Sequence, residues 1–355
     1  MKNFYNKKKV LITGHTGFKG SWMSNILYLM GANVTGIGLE PNTTPSLFNI
    51  LNIKNKIDSR IIDIRDLNTI KKVFDEVQPE IVIHMAAQPL VLDSYRDPVY
   101  TYDVNVMGTV NICECVRLSS SVKSFINVTT DKVYQNNEWV YGYRENDILN
   151  GFDPYSNSKS CSELVTSSYI NSFFNNLDIA VSTCRAGNVI GGGDFSNNRI
   201  IPDCVKYTVE NESIIVRNPN STRPYQHVLE PVFFYLYLAM KQYEDKSYSD
   251  CYNIGPNESD CVTTGEIVQL FCSIWKENSN WKAVNLNGPH EANFLKLDCS
   301  RAKSRLNWSP VWDIYTALEK AVEWSKKYYQ KDNIEKVTEK QINEYLEEFE
   351  KICKR

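Results

Sequence analysis

Histidine is scarce in this chain of 355 residues: His15, His84, His227 and His290 stand far apart. No two have the spacing by which one helix or loop offers paired imidazoles, so no metal site is expected. Charge of one sign is missing too. Lys and Arg total 39 against 42 Asp and Glu, a net charge of −3, which makes no electrostatic case for nucleic acid or an anionic membrane. The Lys7-Lys8-Lys9 run reads as a solvated lead-in to a strand. Long apolar runs are lacking; the longest, such as Val232 to Met240, are too short to cross a bilayer. The opening residues carry no apolar signal segment, and a cytoplasmic location is expected. The ten cysteines show no paired zinc-type spacing, with one residue between Cys113 and Cys115. In a reducing compartment they read as small core residues, not disulfides. There is no internal repeat and no low-complexity segment beyond the charged C-terminal tail.

What is present begins with Val10-Leu11-Ile12-Thr13, a short β-branched run that reads as a buried strand. Gly14, Gly17 and Gly20 follow at three-residue spacing, and Trp22, Met23, Ile26, Leu27 and Met30 then trace one helical face ending at Gly31. Strand, glycine turn and helix in that order make a dinucleotide site. Glycine permits the tight turn, and the helix N-terminus offers unpaired N–H groups to a pyrophosphate. Val34 to Ile37 is a second strand, with Glu40 about 20 residues past the last glycine, where an acid can hold the adenosine ribose. A solvent-facing loop carboxylate is the competing role for Glu40. Gly36 to Glu40 contains no Arg or Lys, which favours NAD over NADP. Arg60-Ile61-Ile62 leads a third strand into Asp63, an acid within reach of an adenine amine. Leu67, Ile70, Val73, Phe74 and Val77 mark a helix stopped by Pro79. Ile81 to Met85 is a fourth strand, and Ala86-Ala87 lets the backbone pass close to a cofactor. A helix over Asn105 to Leu118 and a fifth strand over Phe125 to Thr129 follow. Alternating strands and helices predict an α/β fold, a Rossmann-type doubly wound parallel sheet with ligands outside the strand C-termini.

The fifth strand ends in Thr130-Asp131-Lys132, and Asp153-Pro154 opens the next helix with Tyr155 and Lys159 at i and i+4 on one face. A phenol titrates near ~10 in water, and a neighbouring cation favours the phenolate. The pair is thus a candidate base for taking a proton from an alcohol. A simple dehydrogenase needs one base. The added acid and amine at 131 and 132 suggest a second proton transfer.

Several strings carry a resemblance. Thr13 to Gly20, His84-Met85-Ala86-Ala87-Gln88-Pro89-Leu90-Val91 and Tyr155/Lys159 resemble the extended short-chain dehydrogenase/reductase superfamily. Thr130-Asp131-Lys132, Glu138-Trp139, Tyr141 to Asn146, Arg185 to Asp194 and Arg223 to Pro231 resemble, within it, the CDP-glucose 4,6-dehydratase family. The likeness runs from about Lys9 to Trp324. Two positions depart from it: Leu92 stands where an arginine is expected and Tyr225 where a tryptophan is, which leaves the hexose open. The resemblance implies NAD held by Gly14, Thr16, Gly17, Phe18, Gly20, Glu40 and Asp63. It adds Ile64, Ala86, Ala87, Asn105, Thr129, Tyr155 and Lys159 to that set. It further implies a nucleotide-sugar substrate contacted by Gln88, Asn188, Arg199, Arg223 and His227. For Arg199 and Arg223 structural ion pairing competes, and the residues alone make His227 a hydrogen-bonded core histidine.

The implied reaction oxidises C4 of the sugar, with Tyr155 taking the hydroxyl proton and Thr130 bonding the same oxygen. Lys132 then removes the C5 proton, Asp131 protonates the departing C6 hydroxyl, and hydride returns to C6, feeding deoxysugar biosynthesis. For this Lys132 must be neutral and Asp131 protonated. A sugar-nucleotide 4-epimerase, a dehydratase for another nucleotide hexose and an NAD-sensing homologue without catalysis are the alternatives.

Past a sixth strand at Ile179 to Thr183 the pattern becomes interrupted: a glycine turn at 190–194, a short helix from Ile200 and a small strand at Ile214 to Val216. Residues 1–185 are therefore expected to form the dinucleotide domain and 186–330 a smaller, interleaved substrate-binding lobe. Residues 331–355 are expected to form a charged helix with an apolar stripe of Ile342, Tyr345, Leu346, Phe349 and Ile352. Thr263 and Glu266 have capping-box spacing, and a helix is expected over Asp313 to Tyr329. The resemblance implies a homodimer or homotetramer pairing through helices near 101–118 and 156–173.

Overall fold

Strands rich in Val, Ile and Thr need cover on both faces when they pair in parallel, and the chain supplies that cover. The structure is a computed structural model that describes residues 1–277, 279–284 and 293–353; His290 lies outside them. Six strands, β1 (Lys9–Thr13), β2 (Asn33–Gly38), β3 (Asp58–Ile61), β4 (Ile81–His84), β5 (Ser124–Thr130) and β6 (Ala180–Ala186), join a seventh, Cys251–Ile254. All pair in parallel, in the spatial order Cys251–Ile254, β6, β5, β4, β1, β2, β3. Chain progression reverses between β1 and β4, so a crevice opens outside their C-terminal ends. Thr13 is in register with His84 there. Every residue of β5 and β6 is buried.

The expected strands and helices sit within a few residues of their sequence signals. Helix Phe18–Leu29 follows the glycine turn, and helix Leu67–Val77 ends at Gln78 in a left-handed conformation just before Pro79. The predicted 105–118 helix starts earlier. Pro98–Tyr102 opens it under an Asp97 cap, Asp103–Met107 makes one π-helical turn, and Gly108–Leu118 completes it. Thr263 and Glu266 make a capping box for helix Thr264–Trp275. The cysteines are all free.

Helix Leu229–Glu244 is apolar around nearly its whole circumference because it is buried on two sides. Toward the sheet, Gln242 donates to the Phe125 and Ala180 carbonyls, both at 3.2 Å. Toward solvent it is roofed by helix Ile334–Cys353, where Phe233 meets Tyr345 and Phe349 at 4.9 and 5.7 Å between ring centroids. Of the predicted tail stripe, Ile342, Tyr345 and Phe349 are fully buried, and Leu346 and Ile352 lie at its half-buried margin. Among the described residues no helix is long and apolar enough to cross a membrane.

Beneath the site, Glu163 and Arg185 form a buried ion pair at 3.0 Å, both under 5% exposed. Glu163 also accepts from the hydroxyls of Thr129 and Thr183, while Arg185 donates to Tyr134 Oη and the Glu145 carbonyl at 2.9 Å each. The pair ties the helix carrying Tyr155 to β5 and β6. Glu163→Leu would strand the Arg185 charge in the interior, and a loss of about 3–5 kcal/mol is expected, read by urea unfolding at pH 7.

Candidate active site

The crevice is built first from backbone. Gly14 adopts φ +79°, and a Cβ there would lie 2.8 Å from the Ala86 nitrogen. A Cβ on Gly20 would lie 2.0 Å from the Gly14 carbonyl oxygen. Both positions therefore require glycine, and the turn is drawn close to the end of β4. Thr13 Oγ1 fixes that end by accepting from the Met85 and Ala86 N–H groups at 3.1 and 3.0 Å. Such a cradle, opening onto the N-terminus of helix Phe18–Leu29, fits a dinucleotide pyrophosphate.

Around it, Thr16 Oγ1 donates to the Leu39 carbonyl at 2.7 Å, tying the turn to β2. Phe18 and Gly17 are half-buried in the same turn, and Ala86 and Ala87 are half-buried opposite. Glu40 is exposed, two residues past β2. Asp63 is paired with Arg65 at 2.7 Å, and Arg65 also reaches Asp103 at 3.0 Å. The guanidinium holds the Asp63 carboxyl below the usual carboxylate range. Ile64 is buried, and its carbonyl accepts from Asn111.

Three residues expected at the ligand also hydrogen-bond the scaffold. Asn105 Oδ1 accepts from the Gln88 N–H at 2.8 Å, while its Nδ2 donates to the Gln88 carbonyl and to Ser158 Oγ. Gln88 in turn uses its amide on Leu90 and Thr101. Thr129 is bound to Glu163 and the Cys184 carbonyl. These groups brace the loop after β4 and the end of β5.

At the end of β5, Thr130 Oγ1 donates to Asp131 Oδ1 at 2.8 Å. Lys132 Nζ reaches the same oxygen at 3.0 Å and Asn188 Oδ1 at 2.9 Å. Asp131 is fully buried, and its Oδ2 has no hydrogen-bond partner among the described residues. The amine and the acid that the expected chemistry calls for thus lie in direct contact.

Helix Pro154–Ser172, capped by Asp153, brings in Tyr155. The sequence analysis expects a neighbouring cation to favour the phenolate, and burial opposes it. Burial pushes the phenol up to about 12, and the opposing influences come from a hydrogen bond with Thr130 and from Arg199, not from Lys159. Lys159 Nζ donates to the Val128 carbonyl at 3.1 Å. Burial lowers Lys159 to about 8 against the raising effect of Glu163. Desolvation outweighs the neighbouring charges at both groups.

Of the remaining residues, Arg199 pairs with Asp194 at 3.1 Å, and Arg223 is buried and donates to the Thr222 carbonyl. His227 sits as the core histidine that the residues alone suggest. It is fully buried between Trp22 and Trp312, accepts from the Leu229 N–H, and is lowered to about 3 by burial. Its Nε2 has no hydrogen-bond partner among the described residues. No group of His, Cys, Asp and Glu that could hold a metal occurs among the described residues.

Sequence reasoning missed two residues. Glu163 continues the face of Tyr155 and Lys159 by one more i+4 step, a periodicity visible in the sequence. Lys19 lies inside the glycine string itself, and the charges bearing on it are those of Arg199, Lys159, Asp131 and Lys132.

The model of the GDP-mannose 4,6 dehydratase family matches residues 11–321. A CDP-glucose 4,6-dehydratase from Salmonella typhimurium is 45% identical over 351 residues, 97% of this chain and 98% of that protein. The human dTDP-D-glucose 4,6-dehydratase is 27% identical over 94% of each chain. Among solved structures, UDP-glucose 4-epimerase from Thermotoga maritima with UDP-glucose superposes with a TM-score of 0.79 at 23% identity, covering 90% of this chain and 99% of that one. A dTDP-glucose 4,6-dehydratase from Bacillus anthracis in complex with NAD gives 0.74 at 20% identity, covering 91% and 98%.

Because a Gly20 side chain has no room against Gly14, Gly20→Ala should cost the protein its bound dinucleotide while leaving far-UV circular dichroism intact. Nucleotide released from the denatured protein, measured by absorbance, checks this.

Proposed function

The chain belongs to the GDP-mannose 4,6-dehydratase family, and on that premise we propose that it is an NAD-dependent lyase converting CDP-glucose to CDP-4-keto-6-deoxyglucose for deoxysugar biosynthesis. The reading rests above all on the Asp131–Lys132 contact at 3.0 Å beside Thr130 and Tyr155. The 45% identical CDP-glucose 4,6-dehydratase favours that substrate. Bound NAD+ supplies a hydride acceptor that gives the same hydride back later in the cycle. Gly14, Gly17, Gly20, Ala86 and Ala87 would hold it, with Glu40 and Asp63 at the adenosine end and Lys159 at the nicotinamide ribose.

Tyr155 takes the C4 hydroxyl proton as that carbon is oxidised, with Thr130 hydrogen-bonding the oxygen. A phenol at about 12 in the ligand-free chain is a weak acid, and it becomes a competent base when positive charge enters the crevice with the cofactor. The new ketone acidifies C5–H. Lys132, as the free amine, takes that proton, and Asp131, as the acid, protonates the C6 oxygen, which leaves as water. Elimination therefore delivers the pair as ammonium and carboxylate, the state in which it rests. C5 later regains a proton from a position in exchange with solvent.

Residues 186–330 are proposed as the nucleotide-sugar lobe, with Arg199 and Arg223 as phosphate ligands in bidentate geometry. Helix Ile334–Cys353 is proposed as a packing element of the dinucleotide domain. We place the protein in the cytoplasm as a homodimer or homotetramer through the 98–118 and 154–172 helices, where Val99, Met107 and Leu164 are each at least half exposed.

Incubation with CDP-, UDP-, GDP- and dTDP-glucose should yield a 4-keto-6-deoxy sugar from CDP-glucose in preference to the others; inversion at C4 without loss of water would instead mark an epimerase. Tyr155→Phe should lower turnover by about 100-fold or more. Lys132→Ala should still oxidise C4 yet abolish solvent deuterium incorporation at C5, followed by NMR.

A further inference from the structure

Lys19 stands in the first turn of helix Phe18–Leu29, directly after the glycine cradle. Its neighbour Phe18 reaches across to the 187–199 segment, where a Cβ on Gly191 would lie 3.3 Å from Phe18 Cζ. Lys19 is only partly exposed, yet among the described residues its ammonium has no hydrogen-bond or ion-pair partner. The charges facing it are, from strongest to weakest, Arg199, Lys159, Asp131 and Lys132. Three are cations. The single anion is already shared, since Asp131 Oδ1 is held by Lys132 and Thr130. Arg199 is steadied by Asp194, and Lys159 is turned to the Val128 carbonyl. What is left is an unmatched ammonium facing a guanidinium, an arrangement that repels itself unless an anion lies between the two.

We propose that Lys19 and Arg199 form a two-cation clamp on the diphosphate of the nucleotide sugar, and that Lys19 thereby determines affinity for nucleoside diphosphates over monophosphates. The inference rests on the nucleotide-sugar reading above and extends it to a residue outside the Tyr155–Lys159 and Asp131–Lys132 pairs. The pyrophosphate of the dinucleotide would be served by N–H groups of the glycine turn, whereas the charges bearing on Lys19 are those of Arg199, of Lys159 and of the end of β5, where the reacting sugar is placed. Burial, and next the Arg199 charge, bring Lys19 down to about 8. The ammonium is the form that binds phosphate, so its contribution is present at pH 7 and is lost as pH rises through that value. Lys159 and Lys132 face the same space but are common to all variants compared below.

The test uses the NAD-loaded full chain and calorimetric titration with CDP and CMP. Lys19→Met removes the charge and keeps the stem. It should weaken CDP by about 10- to 100-fold, the range of one charge-assisted hydrogen bond, and leave CMP and bound NAD as in the wild type. Lys19→Arg should restore CDP binding at pH 7 and hold it at pH 9, where the wild type weakens, because a guanidinium stays protonated. Unchanged CDP affinity in Lys19→Met overturns the clamp, as does equal loss of CDP and CMP or loss of NAD alone. A wild type that binds none of CDP, UDP, GDP and dTDP overturns the substrate reading and the clamp together. Wild-type binding of CDP that Lys19→Met retains overturns the clamp and spares the substrate reading.

Discussion

The proposed chemistry turns on the contact between the Lys132 ammonium and the Asp131 carboxylate, 3.0 Å apart at the end of β5. Elimination of water needs a base at C5 and an acid at the C6 oxygen. An ammonium and a carboxylate are neither. The neutral amine and the protonated acid are the same pair with one proton moved across, so no net charge has to enter or leave a buried site to arm it. Asp131 Oδ1 already receives two donors, and Oδ2 is buried without one. Removal of the C5 proton by Lys132 and protonation of the C6 oxygen by Asp131 would return the ion pair in one event.

That pair is useful only if it stays at the level of Tyr155 and of the glycine cradle, and the sheet enforces the alignment. The parallel register sets Thr13 beside His84 and Thr130 beside Ala186, so the turns after β1, β4 and β5 open on one edge. Thr13 and Asn105 then bind the main chain after β4. The Glu163–Arg185 pair does the same for the helix bearing Tyr155 and Lys159. Most buried polar groups near the crevice are therefore spent holding backbone in place, and few are left to touch a ligand. Lys19, half-buried and without a partner among the described residues, is an exception.

The order of strands, the glycine turn and the i, i+4 placement of Tyr155 and Lys159 were legible because each depends on local spacing. Helix boundaries were less so. The 98–118 helix begins under Asp97 and passes through a π-helical turn, neither of which leaves a trace in hydrophobic periodicity. The hydrogen-bond partners of Asn105, Gln88 and Thr129 were not legible at all, whereas His227 reads from the residues alone as the buried, hydrogen-bonded histidine it is. Whether an amide or hydroxyl faces ligand or scaffold is decided by partners far away in sequence. The balance at the phenol was hidden for the same reason: sequence spacing shows the nearby cation but not the extent of desolvation, which is the larger effect within the protein. Glu163 was within reach of a spacing argument, and Lys19 was hidden by the glycines around it.

The central claim is that one hydride leaves C4 and ends on C6 of the sugar. Glucose deuterated at C4, supplied as its CDP ester and converted by the NAD-loaded protein, puts that claim to a direct test by NMR and mass analysis of the product. The account predicts deuterium in the C6 methyl group of the 4-keto product, retained in full when unlabelled NADH is added to the medium. Deuterium released to solvent or recovered in free NADH, with an unlabelled methyl group, would contradict it.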